Sequence, residues 1–130
     1  MERVEVTTRE RQGFYDITSE VQAIIRRYGV QEGICVAFCP HTTAGVTLNE
    51  NWDPAVREDI LRTLNQLVPW RGPYRHVEGN SAAHIKASLL GHSIAVMIRA
   101  GTPALGTWQG IYLAEFDGPR QRRVLVHLSS

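Results

Sequence analysis

Only two of the 130 residues are cysteines, Cys35 and Cys39. Four residues apart on a strand, they point to one face with about 13 Å between them. A disulfide needs Cα atoms closer than about 7 Å. The spacing also differs from the C-x-x-C of zinc knuckles and redox pairs. Both therefore read as free, buried thiols, although Cys39 adjoins a polar cluster. An excess of charge of one sign is missing too. Lys and Arg number 14 against 13 Asp and Glu, a formal charge of +1, which argues against a generic nucleic-acid binder. No stretch approaches the roughly 18 consecutive apolar residues of a membrane helix. The opening MERVEVTTRE lacks the apolar segment of a signal peptide. Free thiols without such a leader lead to the expectation of a cytoplasmic protein. The phosphate-cradling patterns G-x-x-x-x-G-K-[ST] and G-x-G-x-x-G are absent as well. What is present, 43% hydrophobic and 21% charged residues, is a globular profile. The length fits a single domain over residues 1–130.

Hydrophobic periodicity outlines the elements. Arg3 to Thr8 alternates, with Val4 and Val6 on one face, and reads as a half-buried strand. A second short strand runs from Phe14 to Ile17. Thr18 is placed to cap a helix whose Val21, Ile24, Ile25 and Tyr28 share one face, and Gly29 stops it. Ile34 to Cys39 is apolar on both faces, the pattern of a central strand. Gly45 to Asn49 reads as another strand. Asp53-Pro54 is a strong helix start, and Val56, Ile60, Leu61, Leu64 and Leu67 form its apolar stripe. Residues 68–79 carry two prolines and two glycines and read as a loop. Asn80 caps a third helix that Gly91 ends. Ser93 to Ile98 reads as a buried strand and Ala100 to Gly106 as a loop. Trp108 to Phe116 and Arg122 to Leu128 are strands joined by a turn at Asp117-Gly118-Pro119. About seven strands and about three helices in mixed order predict an α+β fold with a mostly antiparallel sheet.

The polar residues gather in three places, each at an element end or in a loop, where sites are usually built. The first holds His41, Thr42, Thr43, Asn49, Glu50, Asn51 and Asp53. The second holds His76, Glu78, Asn80, Ser81 and His84, and the third Gln109, Glu115, Asp117 and Arg120. Imidazoles from a loop and from a helix's first turn can converge on one metal ion. His41, His76 and His84 are the candidate set, for a zinc-like site with a bound water. The ordinary alternative is surface or hydrogen-bonded histidines, as for His92 and His127. Glu50 and Asp53 could hold Mg²⁺ beside a phosphate, whereas Asp53 is also simply a helix cap. The start of the Asn80 helix favours an anion, strengthened if the Thr42, Thr43 and Ser81 hydroxyls converge there. Trp108, followed by Gln109, is either a core residue at a strand start or a wall for a flat ring. Arg120, Arg122 and Arg123 read as a solvated turn or a subunit salt bridge, without a nucleic-acid role.

These motifs together resemble the YjbQ-like family, whose members are also known as secondary thiamine-phosphate synthases. The residues that carry the resemblance are Pro40-His41-Thr42-Thr43-Ala44, Asn49-Glu50, Asp53-Pro54, His76 and Glu78-Gly79-Asn80. They continue with Ala83-His84-Ile85-Lys86, Leu89-Leu90-Gly91, Leu105-Gly106-Thr107-Trp108-Gln109-Gly110-Ile111 and Glu115-Phe116-Asp117-Gly118-Pro119-Arg120. The segment Met97 to Ala104 departs from the family's usual pattern. The resemblance implies an α+β sandwich of two sheets with helices, assembled as a homotrimer. It implies condensation of a pyrimidine pyrophosphate with a thiazole phosphate, in a histidine-rich polar pocket able to take an anion or a divalent metal such as Zn or Mg. On that reading His41, His84 and Glu50 are catalytic. Thr42, Thr43, Asn80, Ser81, Trp108 and Gln109 hold substrate, and His41, His76 and His84 hold the metal. The partners are a small phosphorylated metabolite and other copies of the chain, with neither nucleic acid nor membrane. The alternative is a non-catalytic trimer that binds a metal or a phosphometabolite.

Overall fold

A computed structural model describes residues 1–130. In chain order the elements are β1 (Glu2–Thr7), β2 (Gly13–Asp16), α1 (Thr18–Tyr28), β3 (Glu32–Phe38), β4 (Ala44–Glu50), α2 (Pro54–Leu67) and α3 (Ser81–Leu90). They are followed by β5 (Ser93–Arg99), β6 (Thr102–Pro103), β7 (Gln109–Glu115) and β8 (Gln121–Ser129). The strands form a five-stranded sheet of order β1-β8-β3-β5-β6 and a three-stranded sheet of order β2-β7-β4. Every pairing is antiparallel. This is the α+β, mostly antiparallel fold that the patterning predicts, in the two-sheet form that the resemblance implies. The eighth strand is β6, a two-residue pairing with β5 inside the segment read as a loop.

The main core lies between the sheets. Val4, Cys35, Ala37, Ile98, Val124 and Val126 of the larger sheet meet Val46, Ile111 and Leu113 of the smaller one. The Val21, Ile24 and Ile25 stripe of α1 fills the same core. Alternation along β7 turns Ala114 to the opposite side, where with Phe116 it packs on Ala83 and Ala87 of α3. Leu61 and Leu64 of α2 cover that second cluster from outside. The three-stranded sheet is thus buried on both faces, and β7 is buried from Gly110 to Glu115. The close seat of α3 depends on Gly45, whose Val46 neighbour donates its N–H to the Gly91 carbonyl at 3.1 Å. A Cβ on Gly45 would overlap that carbonyl oxygen.

The outer face of the larger sheet is uncovered. β3 is central, between β8 and β5, yet Ile34 and Phe38 are 42% and 44% exposed and Met97 of β5 is 63% exposed. β3 is thus central, as its pattern predicts, but β5 is not the fully buried strand expected, because this chain has no layer to lie over this face. The surface of 7507 Å² accordingly exceeds the ~6,900 Å² of a compact monomer of this mass. No helix is long and apolar enough to cross a membrane.

The helix ends follow local chemistry. Asp53 Oδ1 accepts the Ala55 N–H at 2.9 Å, a side-chain cap ahead of Pro54. Gly29 ends α1 at φ 66°, a left-handed conformation that costs glycine little. Thr18 is not the cap of α1. Its hydroxyl donates to Asp16 and accepts the Ile111 N–H at 2.8 Å, which ties the helix to β7. Asn80 stands at the cap position of α3, but its side chain makes no capping bond.

Candidate functional site

Alternation that builds the core also builds the site beneath its open end. On β7 the inward series Ile111, Leu113 continues to Glu115, and on β8 the series Val126, Val124 continues to Arg122. Both charged residues are therefore aimed between the sheets. Glu115 is 0% and Arg122 3% exposed. Arg122 Nε and Nη2 donate to the two Glu115 oxygens at 2.8 and 2.5 Å. The Thr8 hydroxyl and the Asp117 N–H donate to the same carboxylate at 2.8 and 3.0 Å. Arg122 Nη2 also donates to the Thr43 hydroxyl at 2.7 Å. A buried ion pair satisfied this fully is rigid.

Above this floor lies an open cleft of about 420 Å³ whose lining, apart from Pro40, is polar or charged. Three chain segments meet there. The link from β3 to β4 contributes His41, Thr42 and Thr43. The approach to α3 contributes His76, Glu78 and Asn80, and the first turn of α3 contributes His84. The turn between β7 and β8, which passes from one sheet to the other, contributes Arg120, and the start of β8 contributes Arg122. The His76 and His84 rings stand edge to face with centroids 5.5 Å apart. His76 Nε2 is 3.7 Å from the Glu78 carboxylate.

His41 is differently placed. Its Nε2 accepts the Arg123 backbone N–H at 3.1 Å, so the ring proton sits on Nδ1. Burial, and then the Arg122 and Arg123 charges, hold its pKa below the ordinary histidine value. His41 is thus a neutral imidazole near pH 7. Asn80 is buried. Its Nδ2 donates to Asp117 Oδ2 at 2.8 Å, the carboxylate that also receives Arg120 Nη2 at 2.9 Å. This fixes the amide orientation and leaves Asn80 Oδ1 buried without a partner. With Asn80 turned away, the Ser81 and Ala82 N–H groups at the start of α3 have no acceptor in the chain.

The remaining candidates lie elsewhere. β4 runs from Ala44, opposite Glu115, to Glu50, opposite Gln109. At about 3.3 Å per residue the two ends are ~20 Å apart. Glu50, Trp108 and Gln109 therefore do not reach the histidines of the same chain. Glu50 Oε2 instead accepts the Asp53 N–H at 3.2 Å, just ahead of α2. Gln109 Oε1 accepts the Gly106 N–H at 2.8 Å. Trp108 is exposed, stacked edge-on against Trp52 with centroids 5.8 Å apart. It is neither a core residue nor a wall of the cleft. Ser81 opens α3 without lining the cleft.

No group of three His, Cys, Asp or Glu side chains is close enough to hold a metal ion. Of the three histidines expected as ligands, two stand together, and His41 has its Nε2 occupied. The donor set of one chain does not fit a three-histidine centre. Both cysteines are free and buried. Burial pushes the Cys35 thiol up to about 11 and raises that of Cys39, which donates to the Ala44 carbonyl at 3.4 Å. Neither is an activated nucleophile.

Sequence reasoning missed the role of Arg122, read as part of a solvated turn or a subunit salt bridge. The signal that marks it is the period of two running from Val126 through Val124.

Fold and site together define a small α+β sandwich with a polar, histidine-lined cleft at one end of its three-stranded sheet. The family model described as "UPF0047 protein YjbQ-like" matches residues 2–130, and the chain belongs to that family. A UPF0047 protein of Methanocaldococcus jannaschii is 48% identical over 126 residues, 97% of this chain and 91% of that protein. YugU of Bacillus subtilis, also a UPF0047 protein, is 45% identical over 129 residues, 98% of each chain. A crystal structure of a YjbQ/UPF0047 family protein from Clostridium acetobutylicum superimposes with a TM-score of 0.98 at 51% identity. It covers 99% of this chain and 100% of that one.

Proposed function

We propose that the cleft binds the phosphate of a small phosphorylated metabolite, and that the protein is a transferase of the thiamine-phosphate synthase type. The observation that supports this is the meeting of polar side chains from three chain segments, among them His41, Thr42, His76, His84 and Arg120, in one cleft. The Thr42 hydroxyl, the two adjacent imidazoles and the unengaged Arg120 Nη1 are hydrogen-bond donors for an anion. The start of α3 adds the positive end of a helix dipole.

In the condensation, the thiazole nitrogen attacks the methylene carbon of the pyrimidine pyrophosphate, the C–N bond forms and pyrophosphate departs. Charge builds on the leaving oxygens, and donors aimed at them lower the barrier. Arg122 is fixed in the floor by Glu115 and contributes without reorganising. His84 is the proton donor to the departing group. Neutral His41, with its one donor on Nδ1, orients and does not protonate. The apolar outer face of the larger sheet, around Ile34, Phe38 and Met97, is the surface on which copies of the chain would associate into the expected homotrimer.

The test is turnover by the purified full chain with the pyrimidine pyrophosphate and the thiazole phosphate, read as pyrophosphate release. His84→Ala is expected to lower the rate by on the order of 10²-fold or more. Thermal stabilisation by either substrate without turnover would sink the transferase and leave a phosphometabolite-binding protein. An unchanged rate in His84→Ala would remove the cleft from the reaction.

A further inference from the structure

The histidine cleft lacks a flat apolar wall, and Trp108 is too far away to provide one. A second hollow of about 380 Å³ adjoins the cleft, lined by Trp70, Arg71, Gly72, Tyr74, His76 and Gly79. His76 lines both spaces. The loop that forms the hollow is held by its own bonds. The Tyr74 hydroxyl donates to the Pro69 carbonyl at 2.6 Å, and its N–H donates to the Gly72 carbonyl at 2.8 Å. The Gly79 N–H donates to the His76 carbonyl at 3.1 Å. Gly72 has a specific use here: a Cβ at that position would come within 3.1 Å of two Tyr74 ring carbons. Its absence lets the ring lie against the backbone. Trp70 packs on the Phe116 cluster, and the Arg11 guanidinium stands 4.4 Å from its ring centroid. Two anchored aromatic side chains and an arginine thus border a space that opens, at His76, on the donors of the cleft.

The geometry points to a ring subsite: the Trp70–Tyr74 hollow takes the flat nitrogen heterocycle of the same ligand whose phosphate occupies the histidine cleft. This rests on the phosphate-binding reading above. The chemistry favours such a ligand. Aromatic walls take the π-face of a heterocycle. Arg71 offers a second contact to an anionic substituent. The space is of the size of small-molecule sites and far below a macromolecular interface. His76 then lies at the junction of ring and phosphate.

The test uses the full chain carrying Trp52→Phe and Trp108→Phe, which leaves Trp70 as the sole indole of the three. The probes are thiamine phosphate and inorganic pyrophosphate, each titrated by calorimetry and by Trp70 emission. Thiamine phosphate is expected to bind and quench Trp70, and pyrophosphate to bind without quenching. Tyr74→Ala is expected to weaken thiamine phosphate by on the order of tenfold and to leave pyrophosphate unchanged. Tyr74→Phe, which keeps the ring, is expected to retain both. If Tyr74→Ala affects both probes equally, or neither, the ring subsite is overturned. The phosphate reading then stands or falls on whether His84→Ala loses pyrophosphate. If the Tyr74-intact chain binds neither probe, both proposals fall.

Discussion

The buried Glu115–Arg122 pair allows a quantitative prediction. In Glu115→Ala the Arg122 side chain, 3% exposed in the native chain, loses both carboxylate contacts and keeps only the Thr43 hydroxyl. The Thr8 hydroxyl and the Asp117 N–H lose their acceptor as well. Removing one member of a buried pair costs about 3–5 kcal/mol, since it strands the other charge away from water. Domains of this kind are stable by about 5–15 kcal/mol in total. The variant is therefore expected to lose roughly a fifth or more of its stability, and on the order of 10–20 °C in Tm. Urea unfolding followed by circular dichroism at fixed protein concentration measures this directly. The double variant Glu115→Leu/Arg122→Met separates charge from packing. It removes both charges together and is expected to recover most of the loss, while still lacking the arginine beneath the cleft. A loss in Glu115→Ala below about 1 kcal/mol would refute the reasoning. So would a double variant no more stable than the single one.

Further predictions address the cleft and the exposed sheet. His41 is expected to titrate below the ordinary histidine value in a two-dimensional NMR pH series, because burial and the Arg122 and Arg123 charges disfavour its cation. Its folded pKa is depressed, so its contribution to stability is complete above its unfolded pKa of about 6.5. That contribution is lost as pH falls through the lower folded value. A normal or raised His41 pKa would contradict the geometry. Elemental analysis is expected to find less than one divalent ion per chain, since three ligands do not converge. One ion per chain, lost in His84→Ala, would overturn that expectation. Phe38→Asp places a charge in the exposed apolar face of β3 and is expected to lower the mass measured by light scattering. A trimer unaffected by it would move the contact elsewhere.

Much of this fold is legible in the sequence because it rests on local rules. Asp53-Pro54 starts α2, Gly29 ends α1, and alternation marks the sandwich strands, with no long-range information required. The misreadings arise where a residue's neighbour is distant in sequence. Met97 of β5 is apolar and reads as buried, but what an apolar face packs against is not written in the strand itself. Asn80 sits at a helix start, as its type predicts, yet Asp117 takes its amide and the cap is not made. The polar clusters also divide differently in space. His41 and Glu50 are close in sequence, but strand β4 lies between them and carries them to opposite ends of the small sheet.

That separation bears on the chemistry. The proposed condensation of two phosphorylated rings needs an anion site and a surface for a flat ring within a few ångströms of each other. One end of β4 supplies donors without a ring surface. The other end supplies exposed Trp52 and Trp108, about 20 Å away. Within one chain, only the 68–79 loop places aromatic side chains beside the donors, through His76. That loop is anchored by Tyr74 and Pro69 and by the packing of Trp70 on the second core. The rigidity that positions the histidines and the rigidity that shapes the ring surface therefore have a common origin, the seating of α3 and α2 on the outer face of β7.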